Sequence, residues 1–280
     1  MPGFAALLWL GRLPPWPVLI VAIVVALAGY TALYALNDLV GVVTDKEKFA
    51  GAGPNPGYAV EASPLRHPVA QGRLSMRRGV AWFAAWYLVA LVGAAWLNPW
   101  LIVVVLAAPV LEIAYCRLLR VSAWRVLLSG LVKALGPIAA VLTVVPRPAL
   151  GGMALMVAWL MAWEIGGQNI PADWNDVEED RRVGARTIPL VFGPAVAGWA
   201  VLALLALTVL LSLALPVLSP LPLGWGYTAA VLVAGSALLL VPAVRLVRDR
   251  AGRRAARLFD LTSLYPVAML AIITGSVLAA

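Results

Sequence analysis

Apolar runs long enough to cross a bilayer recur along the whole chain, at 15–40, 79–97, 99–116, 125–145, 150–168, 193–216, 225–243 and 260–279. A helix needs roughly 20 residues to span a hydrocarbon core of about 30 Å, so these eight segments read as transmembrane helices. Their spread along the chain excludes a signal peptide as the explanation. With 63% hydrophobic and 12% charged residues and a mean hydropathy of +0.93, the solvent for most of this chain is lipid. The expected fold is an all-α polytopic bundle of about eight spans, a single domain built from two related halves, about 1–145 and 146–280.

Charge placement supports both the count and the orientation. Lys46, Lys48, Arg66, Arg73, Arg77 and Arg78 follow the first span, Arg117, Arg120 and Arg125 the third, Arg181, Arg182 and Arg186 the fifth, and a basic run from Arg245 to Arg257 the seventh. Eight spans put all of these on one side and leave only Arg12 and Arg147 on the other. Because cytoplasmic loops carry the excess of Lys and Arg, the reading is a multi-pass inner-membrane protein with its long loops in the cytoplasm. The formal net charge of +8 is explained by orientation and anionic headgroups, with no nucleic-acid fold and no nucleic-acid partner expected. Trp16, Trp96, Trp100 and Trp124 sit near span ends, where either an interfacial ring or ordinary packing accounts for them. The lone Cys116 cannot form an internal disulfide. The Arg245–Arg257 run reads as a topology anchor or as a short amphipathic helix on the cytoplasmic surface.

Two of the cytoplasmic loops follow spans that end in Asn and Asp. The first motif runs Asn37-Asp38-Leu39-Val40-Gly41-Val42-Val43-Thr44-Asp45 and is followed by Arg66-His67-Pro68-Val69-Ala70-Gln71-Gly72-Arg73-Leu74-Ser75. The second runs from Asp173 through Asn175, Asp176, Glu178 and Glu179 to Asp180-Arg181-Arg182 and is followed by Arg186-Thr187-Ile188-Pro189. This parallel is what suggests a diverged tandem repeat. Residues 50–64, rich in Gly, Pro, Ala and Ser, read equally as a lid or as a plain connection.

Spacings of three, four and seven place Asp173, Asp176 and Asp180 on one helix face. Carboxylates so arranged repel one another and call for a cation among them. Mg2+ suits them, because it takes oxygen ligands and is commonly held by one or two carboxylates together with substrate phosphate. Asn37, Gly41 and Asp45 read as the matching face of the first motif, with Asp38 about 100° away around the helix and able to join only if the helix end unwinds. Arg66, Arg73, Arg120 and Arg181 are the cations available to balance phosphate charge. Glu178 and Glu179 are expected to face solvent, and His67 to be a loop residue. Glu112, Lys133 and Glu164 fall inside spans, where a charge needs a partner or a wet cavity. For Lys133 the choice is between reaching phosphate and pairing with a carboxylate. For the two glutamates it is between a polar acceptor, a cationic intermediate and a neutralised helix pair. Gln168 and Asn169, with Pro171 just beyond, suggest a helix interrupted at the pocket floor.

With those residues in view, the chain resembles the UbiA superfamily of intramembrane prenyltransferases. The resemblance is closest from Asp173 through Asp180-Arg181-Arg182-Val183-Gly184 to Arg186-Thr187-Ile188-Pro189. The Arg66–Ser75 segment is similar to the family's basic Pro/Gly segment, and Tyr115 with Arg120 is similar to the residues that end its next conserved helix region. The resemblance implies a bundle around a central cavity that is capped by cytoplasmic loops and opens laterally to membrane lipid. It also implies Mg2+-assisted loss of diphosphate from an allylic prenyl donor and capture of the resulting carbon by a small lipophilic acceptor. On that reading Asp173, Asp176 and Asp180 are catalytic. They share the metal with Asn37 and Asp45, and Asp38, Arg66, Arg73, Arg120, Lys133 and Arg181 bind substrate.

Two departures accompany the resemblance. Gly41 stands where the family's first motif usually has its middle Asp, and a small residue there resembles the UbiA-type terpene cyclases, which use no external acceptor. Residues 1–14 are too short to span, whereas family members usually have a further complete helix before the first motif. A transporter is the rival from another class, but an acidic cluster at the cytoplasmic edge is misplaced for a midplane transport site.

Overall fold

The structure, a computed structural model, describes residues 1–50 and 65–279, and every helix or strand assigned among them is helix. Most of the Gly/Pro-rich segment at 50–64 therefore lies outside the described residues. The helices are α1 (Pro2–Leu10), α2 (Trp16–Phe49), α3 (Met76–Leu97), α4 (Leu101–Arg117), α5 (Val126–Val144), α6 (Leu150–Trp163), α7 (Ile170–Asn175), α8 (Val177–Arg182), α9 (Ile188–Ala214), α10 (Trp225–Gly235), α11 (Val241–Asp249), α12 (Gly252–Ser263) and α13 (Tyr265–Ala279). Several of these run on end to end. Among the described residues, seven continuous helical stretches are long and apolar enough to cross a membrane. At 17 residues α4 is shorter, about 26 Å long, and supplies the eighth helix expected from hydropathy.

The differences from the expected boundaries have local causes. The first apolar run does not stop at 40, because nothing breaks the helix before Phe49, and Lys46 and Lys48 in its last turn complement the negative end of the helix dipole. Asn37 to Asp45 therefore lie within a continuous helix and not at its frayed end. In α9 the backbone leaves helical geometry at Gly193 (φ 79°) immediately before Pro194. The helix nevertheless starts at Ile188, five residues before the expected boundary. The Arg245–Arg257 run is not one surface helix. It covers the end of α11, a turn made at Arg250 in the left-handed region (φ 51°) and the start of α12, with Leu246, Ala255, Ala256 and Leu258 buried.

Lipid-facing and core-facing surfaces are sharply distinguished. Ile20, Leu27, Leu88, Val92, Val103 and Leu210 are exposed, as side chains that meet acyl chains should be, whereas Phe4, Leu8, Trp159, Leu205 and Tyr265 are fully buried. The short α1 does not cross but packs against α5 and α13, and Phe4 meets Trp159 edge-on at 5.1 Å. Within this core one hydroxyl ties three helices together. Ser212 Oγ accepts from Trp159 Nε1 at 2.6 Å and from Tyr265 OH at 2.8 Å, and donates to the Thr208 carbonyl at 2.7 Å. Trp159 and Tyr265 are fully buried, so both donors depend on it.

Between α6 and α7 the chain makes a π-helical turn over Glu164–Asn169. Pro171 removes a backbone donor and its ring crowds the preceding turn, and the wider turn makes room for it. Two glycines let this turn approach its neighbours: a Cβ on Gly166 would lie 2.7 Å from Leu204 Cβ, and one on Gly167 3.0 Å from Thr262 Cβ. Gln168 then donates to Thr262 Oγ1 at 2.8 Å. The helix interruption expected from Gln168, Asn169 and Pro171 is this turn, and it sets the floor of the cavity described next. Ser212→Ala is expected to cost about 1–3 kcal/mol by stranding the buried Trp159 and Tyr265 donors. The drop in melting temperature in detergent, followed by circular dichroism, measures it.

Candidate active site

A cavity of about 770 Å³ opens among α2, α4, α5, α7, α12 and the loop before α3, within the size range of small-ligand sites. Asp38, Arg66, His67, Asn175 and Asp176 line it, and so do the apolar Trp163, Phe259, Pro266 and Val267. Tyr34, Asn37, Glu112, Tyr115, Ser129, Lys133 and Glu164 also face it.

The first motif presents a different face from the one expected. Asp38 and Asp45 are seven residues apart, a separation that rotates only about 20° around a helix, and both reach His67 Nδ1, at 2.8 and 3.2 Å. Asp38 thus joins Asp45 without any unwinding. Gly41 lies between them on the same stripe, and a Cβ there would stand 2.9 Å from Asp45 Oδ2. The missing side chain is the room into which the Asp45 carboxylate folds. Asn37 turns instead toward α4, donating to Glu112 Oε1 at 2.6 Å. His67 is more than a loop residue. Its backbone has positive φ (55°), and although burial opposes protonation, the hydrogen bonds to Asp38 and Asp45 outweigh it and raise the imidazole pKa to about 9.

In the second motif the helix breaks at Asp176 (φ −97°, ψ 13°), so Asp173 and Asp180 belong to two short helices. Each acid has its own cation, and none of the three cations comes from within the motif. Arg125 donates to Asp173 Oδ1 at 2.8 Å while lying 4.5 Å over the Tyr115 ring. Lys48 Nζ stands 2.7 Å from Asp180 Oδ1. Arg66 lies 3.8 Å from Asp176 and is clamped by both oxygens of Glu179 at 2.6 Å. Glu179 is 2% exposed, which corrects its expected place in solvent, because Arg66 draws it inward. Glu178 is exposed as expected, paired with Arg181.

Of the cations assigned to substrate, Arg66 and Lys133 line the cavity. Arg73, Arg120 and Arg181 are exposed and do not, and Arg120 pairs with Glu47. Lys48 and Arg125 take up the positions that sequence reasoning had not filled. Lys48 had a legible signal, since it sits three residues beyond Asp45 on the same helix face. Arg125 had none, because its partner is 48 residues away.

The family model described as the UbiA prenyltransferase family matches residues 1–270. The chain belongs to that family. Solved structures share its fold. A UbiA homologue from Aeropyrum pernix K1, in its apo structure, is 20% identical and superposes with a TM-score of 0.76 over 98% of this chain and 95% of that one. A digeranylgeranylglyceryl phosphate synthase gives a TM-score of 0.70 at 12% identity, over 100% and 92% of the two chains. A UbiA homologue from Archaeoglobus fulgidus bound to DMAPP and Mg2+ gives 0.63 at 17% identity, over 98% and 94%. No curated protein matches the sequence.

Among the described residues of this UbiA-family chain, no three acidic, His or Cys side chains form a ready-made metal cage. The donor set nevertheless fits Mg2+, which completes its shell with water and substrate phosphate. Asp173 Oδ2 is buried with no hydrogen-bond partner, Asp176 lines the cavity, and Asp38 and Asp45 share one imidazole. A methyl at position 41 separates folding from this arrangement. Gly41→Ala is expected to stabilise α2 by up to about 1 kcal/mol through helix propensity, while the displaced Asp45 carboxylate weakens Mg2+ binding about tenfold. Melting temperatures across a Mg2+ titration, with and without a prenyl diphosphate, read both effects.

Proposed function

We propose that this chain is a Mg2+-dependent intramembrane prenyltransferase that ionises an allylic prenyl diphosphate and passes the prenyl group to a small lipophilic acceptor. Both acidic motifs face the cytoplasm of the inner membrane in this reading. One observation carries it: acids from two distant stretches of chain, Asp38 and Asp176, line one cavity together with Arg66 and a set of apolar side chains, while Lys48 and Arg125 pair with the neighbouring Asp180 and Asp173. Family membership and the Archaeoglobus fulgidus homologue bound to DMAPP and Mg2+ support the same donor class.

Asp173, Asp176 and Asp180 with Asp38 and Asp45 would hold Mg2+, which would supply positive charge to the diphosphate oxygens. Asn37 Nδ2 is engaged by Glu112, which leaves its amide oxygen as the atom it would offer. Arg66, fixed by Glu179, stabilises the negative charge that develops as the C1–oxygen bond of the donor breaks. Arg125 is spread over the Tyr115 ring and holds Asp173, orienting a carboxylate that would otherwise be free to turn. The apolar side chains of the lining, Leu33, Val132, Trp163, Phe259 and Val267, enclose the prenyl chain and keep water from the cationic carbon. The faces of Tyr34 and Trp163 can stabilise that charge.

Purified protein in nanodiscs with Mg2+ is expected to release pyrophosphate from geranyl, farnesyl or geranylgeranyl diphosphate. No release from any donor, with folded protein and an acceptor panel present, would falsify the enzyme reading. Product analysis with acceptors omitted separates transfer from cyclisation, since a cyclic hydrocarbon formed from donor alone identifies a cyclase. Asp176→Ala is expected to lower turnover at least about 100-fold while membrane insertion and the detergent elution profile stay intact. Near-normal turnover would show that the metal lies elsewhere.

A further inference from the structure

A second polar cluster lines the same cavity. Tyr34 is one helical turn from Asp38 along α2, about 6 Å, and faces Ser129 and Lys133 of α5 and Glu164 at the start of the π turn. Lys133 Nζ donates to Tyr34 OH at 2.9 Å and sits 4.7 Å from the centre of the same ring. Glu164 is 4% exposed and accepts from Ser129 Oγ at 3.0 Å. The charges of Lys133 and Glu164 act on each other. One turn further along α2, the Tyr30 hydroxyl is buried against Gly136 and has no hydrogen-bond partner.

We propose that Tyr34, Lys133 and Glu164 form the acceptor subsite, and that the acceptor it takes is a lipophilic alcohol or phenol that reacts through its hydroxyl oxygen. This rests on the prenyl-transfer reading above. The charge pattern selects the class. A phosphate or carboxylate head would meet Glu164, and an amine would meet Lys133, each at a cost that the low-dielectric surroundings enlarge. A neutral hydroxyl satisfies both, donating its proton to Glu164 and accepting from Lys133, with Tyr30 OH free to bond the rest of the head. In the reaction the acceptor oxygen forms a bond to C1 of the prenyl group. The C1–oxygen bond to diphosphate breaks with its electron pair leaving on pyrophosphate, and the hydroxyl proton passes to Glu164. No oxidant or further reactant is needed. Glu164 is the general base, and Lys133 stabilises charge on the oxygen while Tyr34 positions Lys133.

The test uses the full chain in nanodiscs with Mg2+, geranylgeranyl diphosphate and two acceptor probes, 1-O-hexadecylglycerol and 4-hexylphenol, against their O-methylated counterparts. The expected products are prenyl ethers from the hydroxyl probes only, identified by mass spectrometry. Glu164→Gln, which keeps the Ser129 contact, is expected to lower kcat for ether formation about 100-fold with a much smaller change in the donor KM, and to remove the acid limb of its pH–rate profile. Lys133→Met is expected to raise the acceptor KM about tenfold. Melting temperature and elution profile establish that both variants are folded. Wild-type release of pyrophosphate without any ether product, carbon-prenylated product from the methylated probes, or an unchanged rate in Glu164→Gln overturns the subsite while leaving the prenyl-diphosphate reading standing. Absence of pyrophosphate release from the wild type with geranyl, farnesyl and geranylgeranyl diphosphate alike overturns both.

Discussion

An ionised side chain near or within a bilayer must find an opposite charge or water, and the whole site is organised by how this chain meets that demand. Asp173, Asp176 and Asp180 each draw a cation from a different part of the fold: Arg125 from the start of α5, Arg66 from the loop before α3, and Lys48 from the end of α2. The second motif thus pulls both halves of the bundle toward one point. Removing Arg125 or Lys48 strands the buried Asp173 or Asp180 carboxylate in a low-dielectric environment, which costs more than the pair itself contributes. The three contacts therefore fix the geometry of the site more than they add to stability.

The same constraint explains which parts were legible in the sequence. Spans are legible because lipid requires about 20 apolar residues irrespective of neighbours, and the all-helical bundle follows from that requirement alone. The acidic motifs are legible as chemistry because repelling carboxylates imply a cation. Pairings across the fold are not. Nothing in the spacing from Arg66 to Glu179 announces a bidentate contact, and Glu179 in isolation has every reason to face water. In the first motif the contacts follow helix arithmetic. Each step of four from Asn37 drifts about 40°, so Asp45 lies about 80° around the helix from Asn37, whereas Asp38 and Asp45, seven residues apart, lie within about 20° of each other. Gly41, read from the family pattern as a lost ligand, is in this chain the space that lets Asp45 close on Asp38.

Backbone geometry contributes at one place above all. The π turn at Glu164–Asn169 is forced by Pro171 and made compact by Gly166 and Gly167. Glu164, Gln168 and Asn169 of this turn all line the cavity. Asn169 donates to Tyr115 OH at 3.0 Å, linking the turn to the ring beneath Arg125. A local sequence irregularity thereby supports an electrostatic arrangement two helices away.

The cavity lining carries both signs of charge, Asp38, Glu112, Glu164 and Asp176 with Arg66, His67 and Lys133, beside the apolar Leu33, Val132, Trp163, Phe259 and Val267. Under the proposed function a donor with an anionic head and an apolar tail would be oriented by charge, its head drawn to Arg66 beside Asp176 and its tail left to the apolar side chains. Lys133 is held by Tyr34 and Glu164 by Ser129. Each of these two charges thus has a polar partner before any ligand arrives, and a neutral polar group is the one that bonds to them without adding a charge to a low-dielectric place.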